Sequence, residues 1–161
     1  MTDTGLIRVL FVCTGNICRS PTAEGVFRQR LREQGLDTSV ETDSVGTHGF
    51  HVGSAPDRRS QNAARQRGID ISDLRARQFT LSDFAYFDHI LAMDQDNLDI
   101  LLAEAPADHR SKVRLFMDFA RDPATREVPD PYYGGDQGFD RVFELIDNAT
   151  DGLIAHLRKD R

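Results

Sequence analysis

The sequence predicts an α/β fold: an open, doubly wound sheet of four parallel strands with helices on both faces. Three observations lead there. Four short runs rich in apolar and β-branched residues recur at 6–12, 38–45, 89–93 and 113–116. Segments of helical periodicity lie between and after them, around 20–35, 57–67, 97–103 and 139–157. Strands that alternate with helices pair in parallel through crossover connections, and such connections cover both faces of the sheet.

Each element has its own local reason. Residues 6–12, LIRVLFV, are mostly apolar, as a strand buried on both faces must be. Residues 13–20 then read CTGNICRS, where Gly15 and Asn16 tolerate left-handed backbone. A helix is expected next, with Ser20 as N-cap, Pro21 in the first helical position and Glu24 in the first turn. Ala23, Val26, Phe27 and Leu31 form its apolar face, and Gly35 suits its C-terminal cap. Residues 38–45 are the second strand and 46–56 a loop, and a helix from Asp57 to Arg67 stops at Gly68. Residues 89–93 are the third strand. Asp94, Asp96 and Asp99 follow it, but the glycine and terminal glutamate of a calcium loop are missing, so they read as carboxylates at a helix N-terminus. Residues 113–116 are the fourth strand, and 121–138 form a long loop with three prolines and three glycines. The last helix, 139–157, places Phe139, Val142, Phe143, Ile146, Leu153 and Leu157 on one face.

The 161 residues suit one domain spanning 1–161, with no linker or internal repeat. Twenty-six carboxylates against 20 Lys and Arg argue against a nucleic-acid or anionic-membrane partner. No apolar stretch approaches the ~18 residues of a membrane span. The N-terminus lacks the basic and apolar regions of a signal peptide. Two cysteines are too few for a disulfide scaffold, so a reducing cytoplasm and a monomer are expected. His48 and His51 have a metal-like offset without further ligands, so no metal or cofactor is expected. The arginines at 58, 59, 65, 67, 75 and 77 read as a solvated face that could draw in acidic protein segments.

Chemistry concentrates in residues 13–20. A tight loop running from a strand into a helix N-terminus turns successive backbone N–H groups inward and makes an anion nest. Arg19 adds a planar fork able to hold two phosphate oxygens. The same positive surroundings stabilise the thiolate of Cys13, and Ser20 is placed to donate to it. One loop thus serves as a phosphate-binding loop and generates a nucleophile, which points to covalent catalysis through a cysteinyl-phosphate. Residues 13–20 hold no lysine and lack the Walker glycine spacing, so this is not a Walker loop. Cys18, also in the loop, could pair with Cys13 under oxidants and protect it from over-oxidation.

This segment closely resembles the signature of low-molecular-weight protein tyrosine phosphatases, and a second motif, VPDPYYGG at 128–135, strengthens the resemblance. Alone, Pro-Asp-Pro would read as a rigid turn. The resemblance makes Asp130 the general acid that protonates the departing tyrosine oxygen, with Cys13 and Arg19 as its catalytic partners. It gives Thr14, Gly15, Asn16, Ile17, Cys18 and Ser20 to phosphate binding. Tyr132 and Tyr133 become walls of a slot too deep for phosphoserine, and Phe50, where many relatives carry Trp, its rim. Asn16 and Ser44 become loop supports. Many relatives carry His where this chain has Leu74, and that His belongs to the support network. The implied activity is hydrolysis of phosphotyrosine in proteins, with phosphate or another oxyanion in the site. Two alternatives have clear requirements. A thiol-dependent arsenate reductase needs cysteines outside the loop, and this chain has only Cys13 and Cys18. An inactive phosphotyrosine-binding module would have lost Cys13, Arg19 or Asp130.

Overall fold

The computed structural model describes residues 5–121, 125–132 and 135–159. Four strands, β1 (Ile7–Cys13), β2 (Val40–Gly46), β3 (His89–Ala92) and β4 (Val113–Leu115), form one parallel sheet in the order β2-β1-β3-β4. Among the described residues, five α-helices surround it: α1 (Arg19–Glu33), α2 (Arg58–Arg65), α3 (Ser82–Tyr86), α4 (Gln95–Glu104) and α5 (Asp136–Lys159). Among the described residues, no helix is long and apolar enough to cross a membrane.

The side chains of β1 alternate between two cores. Val9 and Phe11 pack with Val26, Phe27 and Leu31 of α1 and Val142 and Ile146 of α5. Leu10 and Val12 pack on the other face with Phe84 of α3 and Leu101 of α4. Phe11 meets Phe27 and Phe116 edge-on, at centroid distances of 5.5 and 5.2 Å. Each such pair adds about 0.5–1.5 kcal/mol beyond area burial.

Several boundaries differ from the sequence expectation. Cys13 is the last residue of β1, and α1 begins at Arg19. The cap expected at Ser20 does not form, because its hydroxyl is turned to Cys13 instead. Glu24 is not a solvated first-turn carboxylate but is buried beneath β2. Gly35 does end α1, with φ at +71°. Asp57 caps α2 by accepting from the Arg59 N–H, and Asp94 caps α4 by accepting from the Asn97 N–H. The short α3 and the 3₁₀ turns at Ala107–Lys112 and Phe116–Phe119 were not expected. Each is too short for a periodic signal. Helix α5 begins three residues earlier than its apolar stripe.

Chain direction across the sheet reverses at β1 and β3, so a crevice opens beyond their carboxyl ends, where ligands bind in such sheets. The Cys13 loop leaves β1 at that point.

Candidate active site

Residues 13–20 wrap around the sulfur of Cys13. The N–H groups of Asn16 and Ser20 point at Sγ from 3.3 and 3.5 Å, and the Ser20 hydroxyl lies 3.0 Å away. Asn16 makes this turn possible with φ at +59°, a conformation in which Asn is favoured among residues other than glycine. Its side chain locks the turn. Nδ2 donates to Ser20 Oγ at 2.8 Å and Ser44 Oγ at 3.0 Å, and Oδ1 accepts from the Arg77 N–H at 3.0 Å. Asn16 and Ser44 therefore meet as the resemblance implied. Gly46, paired with Cys13 across β1 and β2, lets the loop pass closely. A Cβ there would stand 2.7 Å from the Thr14 carbonyl oxygen.

The chain of bonds continues inward. Ser44 Oγ donates to Glu24 Oε1 at 2.8 Å, and Glu24 is buried. Burial pushes the Glu24 carboxyl up to about 7, against the opposing bond from Ser44. Leu74 is half-buried against the core that contains Ile71 and Val26. The support network is thus closed by Glu24 from α1, while position 74 contributes packing.

Arg19 is 2% exposed, which for a guanidinium demands full pairing. Its Nη1 donates to Asp94 Oδ2 at 2.6 Å and to the Val128 carbonyl at 3.1 Å. Its Nη2 donates to Thr14 Oγ1 at 3.2 Å and lies 3.7 Å from Asp130 Oδ2. Burial alone would lower its pKa, but Cys13, Asp94 and Asp130 together raise it, so the charge is permanent. Thr14 Oγ1 is also held by Asn97 Nδ2 at 3.1 Å. Among the described residues, the N–H groups of Gly15, Ile17 and Cys18 donate to no protein acceptor, and these residues border the cleft.

That cleft, about 130 Å³, is lined by Cys13, Thr14, Gly15, Ile17, Cys18, Arg19, Phe50, His51, Asp130 and Tyr132. Asp130 lies at its edge with its side chain 49% exposed, and its Oδ1 accepts from the Tyr132 N–H at 3.0 Å. Phe50 stands at the rim, 76% exposed and stacked on His48 at 5.2 Å. Tyr132 flanks the mouth opposite His51, with ring centroids 6.1 Å apart. Tyr133 lies outside the described residues. Cys18 is buried, and desolvation followed by the charge of Asp57 pushes its thiol up to about 12, so it is protonated at neutral pH.

Sequence reasoning missed Glu24, His51, Asp94 and Asn97 as neighbours of the site. Glu24 carried a faint signal, since it shares the α1 face with Phe27 and Leu31 and a carboxylate in an apolar stripe needs a partner. The expected arginine face is corrected in part. Arg58, Arg65 and Arg75 are exposed. Arg77 instead joins Asp43 and Asp83, Arg67 covers the Phe143 ring and pairs with Asp140, and Arg59 pairs with Asp57. Among the described residues, no three His, Cys, Asp or Glu side chains are arranged to hold a metal ion.

Comparison with known proteins gives the family. The family model described as low molecular weight phosphotyrosine protein phosphatase matches residues 8–161. A low molecular weight protein-tyrosine-phosphatase of Streptomyces coelicolor is 45% identical over 157 residues, 94% of each chain. The crystal structure of a protein tyrosine phosphatase from Entamoeba histolytica with Hepes in its active site superposes with a TM-score of 0.92. It is 40% identical and covers 96% of this chain and 98% of its own. The structure of YfkJ from Bacillus subtilis gives a TM-score of 0.93 at 37% identity, over 99% of both chains. The chain belongs to the low molecular weight phosphotyrosine protein phosphatase family, and its class is that of hydrolases acting on phosphotyrosine.

Proposed function

We propose that this phosphatase works in two covalent steps within residues 1–161, acting as a single domain. The phosphate dianion of a phosphotyrosine side chain enters the cleft and is held by Arg19 and the loop N–H groups of residues 14–20. The Cys13 thiolate attacks phosphorus while Asp130 gives its proton to the tyrosine oxygen, a phenolate of pKa ~10 that leaves poorly without one. Arg19 and the loop amides stabilise charge on the three equatorial oxygens. Asp130, now a carboxylate, then takes a proton from water, which attacks phosphorus, releases inorganic phosphate and restores the Cys13 thiolate.

The observation that carries this reading is the convergence on one sulfur. Two backbone N–H groups and the Ser20 hydroxyl surround Cys13 Sγ, with a fully buried, paired Arg19 beside it. Such a site presents the sulfur to an oxyanion held by the same donors. Phe50 and Tyr132 supply aromatic walls for the substrate ring. Depth selects phosphotyrosine over shorter phosphorylated side chains. The expected partners are tyrosine-phosphorylated proteins, met by a monomer in the cytoplasm without metal or cofactor.

Phosphate release from a phosphotyrosine peptide, with reductant present and Cys13→Ser as the blank, tests the activity. Turnover by the wild type alone supports the reading. Equal turnover by Cys13→Ser would remove Cys13 from the nucleophile role.

A further inference from the structure

Arg59 sits on the seam between the nucleophile loop and the Asp130 loop and is bonded to both sides. Its Nε and Nη2 donate to the Asp57 carboxylate at 3.1 and 3.2 Å. The Asp57 N–H donates to the Ile17 carbonyl of the phosphate-binding loop at 2.8 Å. On the other side, Arg59 Nη2 donates to the Tyr132 carbonyl at 2.9 Å. Tyr132 donates its own N–H to the Asp130 carboxylate at 3.0 Å. The guanidinium also lies over the Phe139 ring at 4.5 Å and near the Tyr132 ring at 5.8 Å. One rigid fork therefore links loop 13–20, through Asp57, to the segment that aims Asp130.

We propose that Arg59 is a positioning residue for the general acid, clamping the Asp130 loop to the nucleophile loop so that the carboxyl group stays within reach of the leaving oxygen. The inference rests on the reading of Asp130 as that acid. The residue type is the reason the clamp works. A guanidinium can serve a carboxylate and a carbonyl in one plane while stacking on a ring, whereas an ammonium is a point donor that cannot do all three. The need for a clamp follows from exposure. The Asp130 side chain is half in solvent, and its nearest charged partner, Arg19, stands at 3.7 Å. A displacement of about 1 Å in a catalytic group is worth on the order of 100-fold in rate.

The experiment is a double-mutant cycle on two substrates. Arg59→Met, Asp130→Asn and the double variant are assayed on a phosphotyrosine peptide and on an aryl phosphate whose weakly basic leaving group needs no proton. Arg59→Met is expected to lower kcat on the peptide by about 10- to 100-fold and on the activated ester by no more than about 3-fold. In the Asp130→Asn background it is expected to lower peptide turnover by no more than about 2-fold, because the group it positions is gone. Arg59→Lys should show the same substrate-selective loss, and it carries the test if the methionine variant fails to fold. Equal losses on both substrates, or an undiminished effect of Arg59→Met without Asp130, would overturn the proposal. Should Asp130→Asn itself slow both substrates alike, the acid assignment falls first and takes the clamp with it. Leaving-group selectivity in Asp130→Asn but not in the Arg59 variants would overturn the clamp alone.

Discussion

The two loops that face each other across the cleft are built in opposite ways. Loop 13–20 is part of the core: Cys13, Asn16, Ile17, Cys18, Arg19 and Ser20 are all buried, and the Asn16 side chain alone holds three partners. The segment around Asp130 is anchored at Val128, which is buried and donates to the Met93 carbonyl at 2.8 Å. Two residues later it is half in solvent. The difference suits the two tasks proposed for them. A phosphate dianion and a thiolate need fixed dipoles in a dry setting, whereas the acid must meet a leaving group attached to a whole protein. The rigid loop should thus govern every substrate, and the exposed segment only those whose leaving group needs a proton.

The largest expected effect breaks the rigid side. Cys13→Ser should lower turnover by at least about 10⁴-fold on every aryl phosphate, whatever its leaving group, while oxyanion binding persists. Initial rates and vanadate titration check both halves. Next is the exposed side. Asp130→Ala should slow phosphotyrosine turnover by about 10²- to 10³-fold and an activated ester far less. Equal losses would abolish the contrast between the loops.

A smaller effect concerns oxidation. Peroxide should convert the Cys13 thiolate to a sulfenic acid, which Cys18 displaces to give a Cys13–Cys18 disulfide and water. Thiol should then restore most of the activity, and Cys18→Ser should recover about 10-fold less. Mass spectrometry of the oxidised protein decides whether the cross-link exists.

The smallest effect probes the foundation of the rigid loop. Burial holds the Glu24 carboxyl at about 7, above its ordinary 4.5; Ser44 and Arg28 oppose the shift, and Asp43 and Asp73 add to it. The folded value is the raised one, so this group's contribution to stability is complete below about pH 4.5 and is lost as pH rises through about 7. Relative to Glu24→Gln, the wild type should lose up to about 3 kcal/mol over that window, as read by urea unfolding at successive pH values. A constant difference would mean that Glu24 does not titrate there.

The same contrast explains what the sequence could reveal. Loop 13–20 is contiguous, so strand, turn residues, Arg19 and Ser20 are legible together, and the four strands follow from apolar runs. The network beneath it is assembled from distant positions. Ser44, Glu24 and Arg77 meet Asn16 only after β2 has paired with β1 and α1 has packed on the sheet. Asp94 was legible as a helix cap but not as the partner of Arg19, because its two oxygens serve the two roles separately. Arg59 read as one arginine of a solvated face, and His51 as half of a pair with a metal-like offset and no further ligands. Ser20 shows the converse error, a plausible cap by local chemistry whose hydroxyl is claimed by a tertiary contact. The departure at Leu74 was visible, but its consequence depended on Glu24.

The central claim is that phosphate passes through Cys13 with Asp130 as its acid. Rapid acid quench of Asp130→Ala mixed with a phosphotyrosine peptide and with an activated aryl phosphate, followed by peptide mapping, tests it most directly. The account predicts a phosphate adduct on Cys13 that forms readily from the activated ester and slowly from the peptide, and none at any residue in Cys13→Ser. A phosphorylated residue other than Cys13, or phosphate release without any adduct under conditions of full turnover, would contradict it.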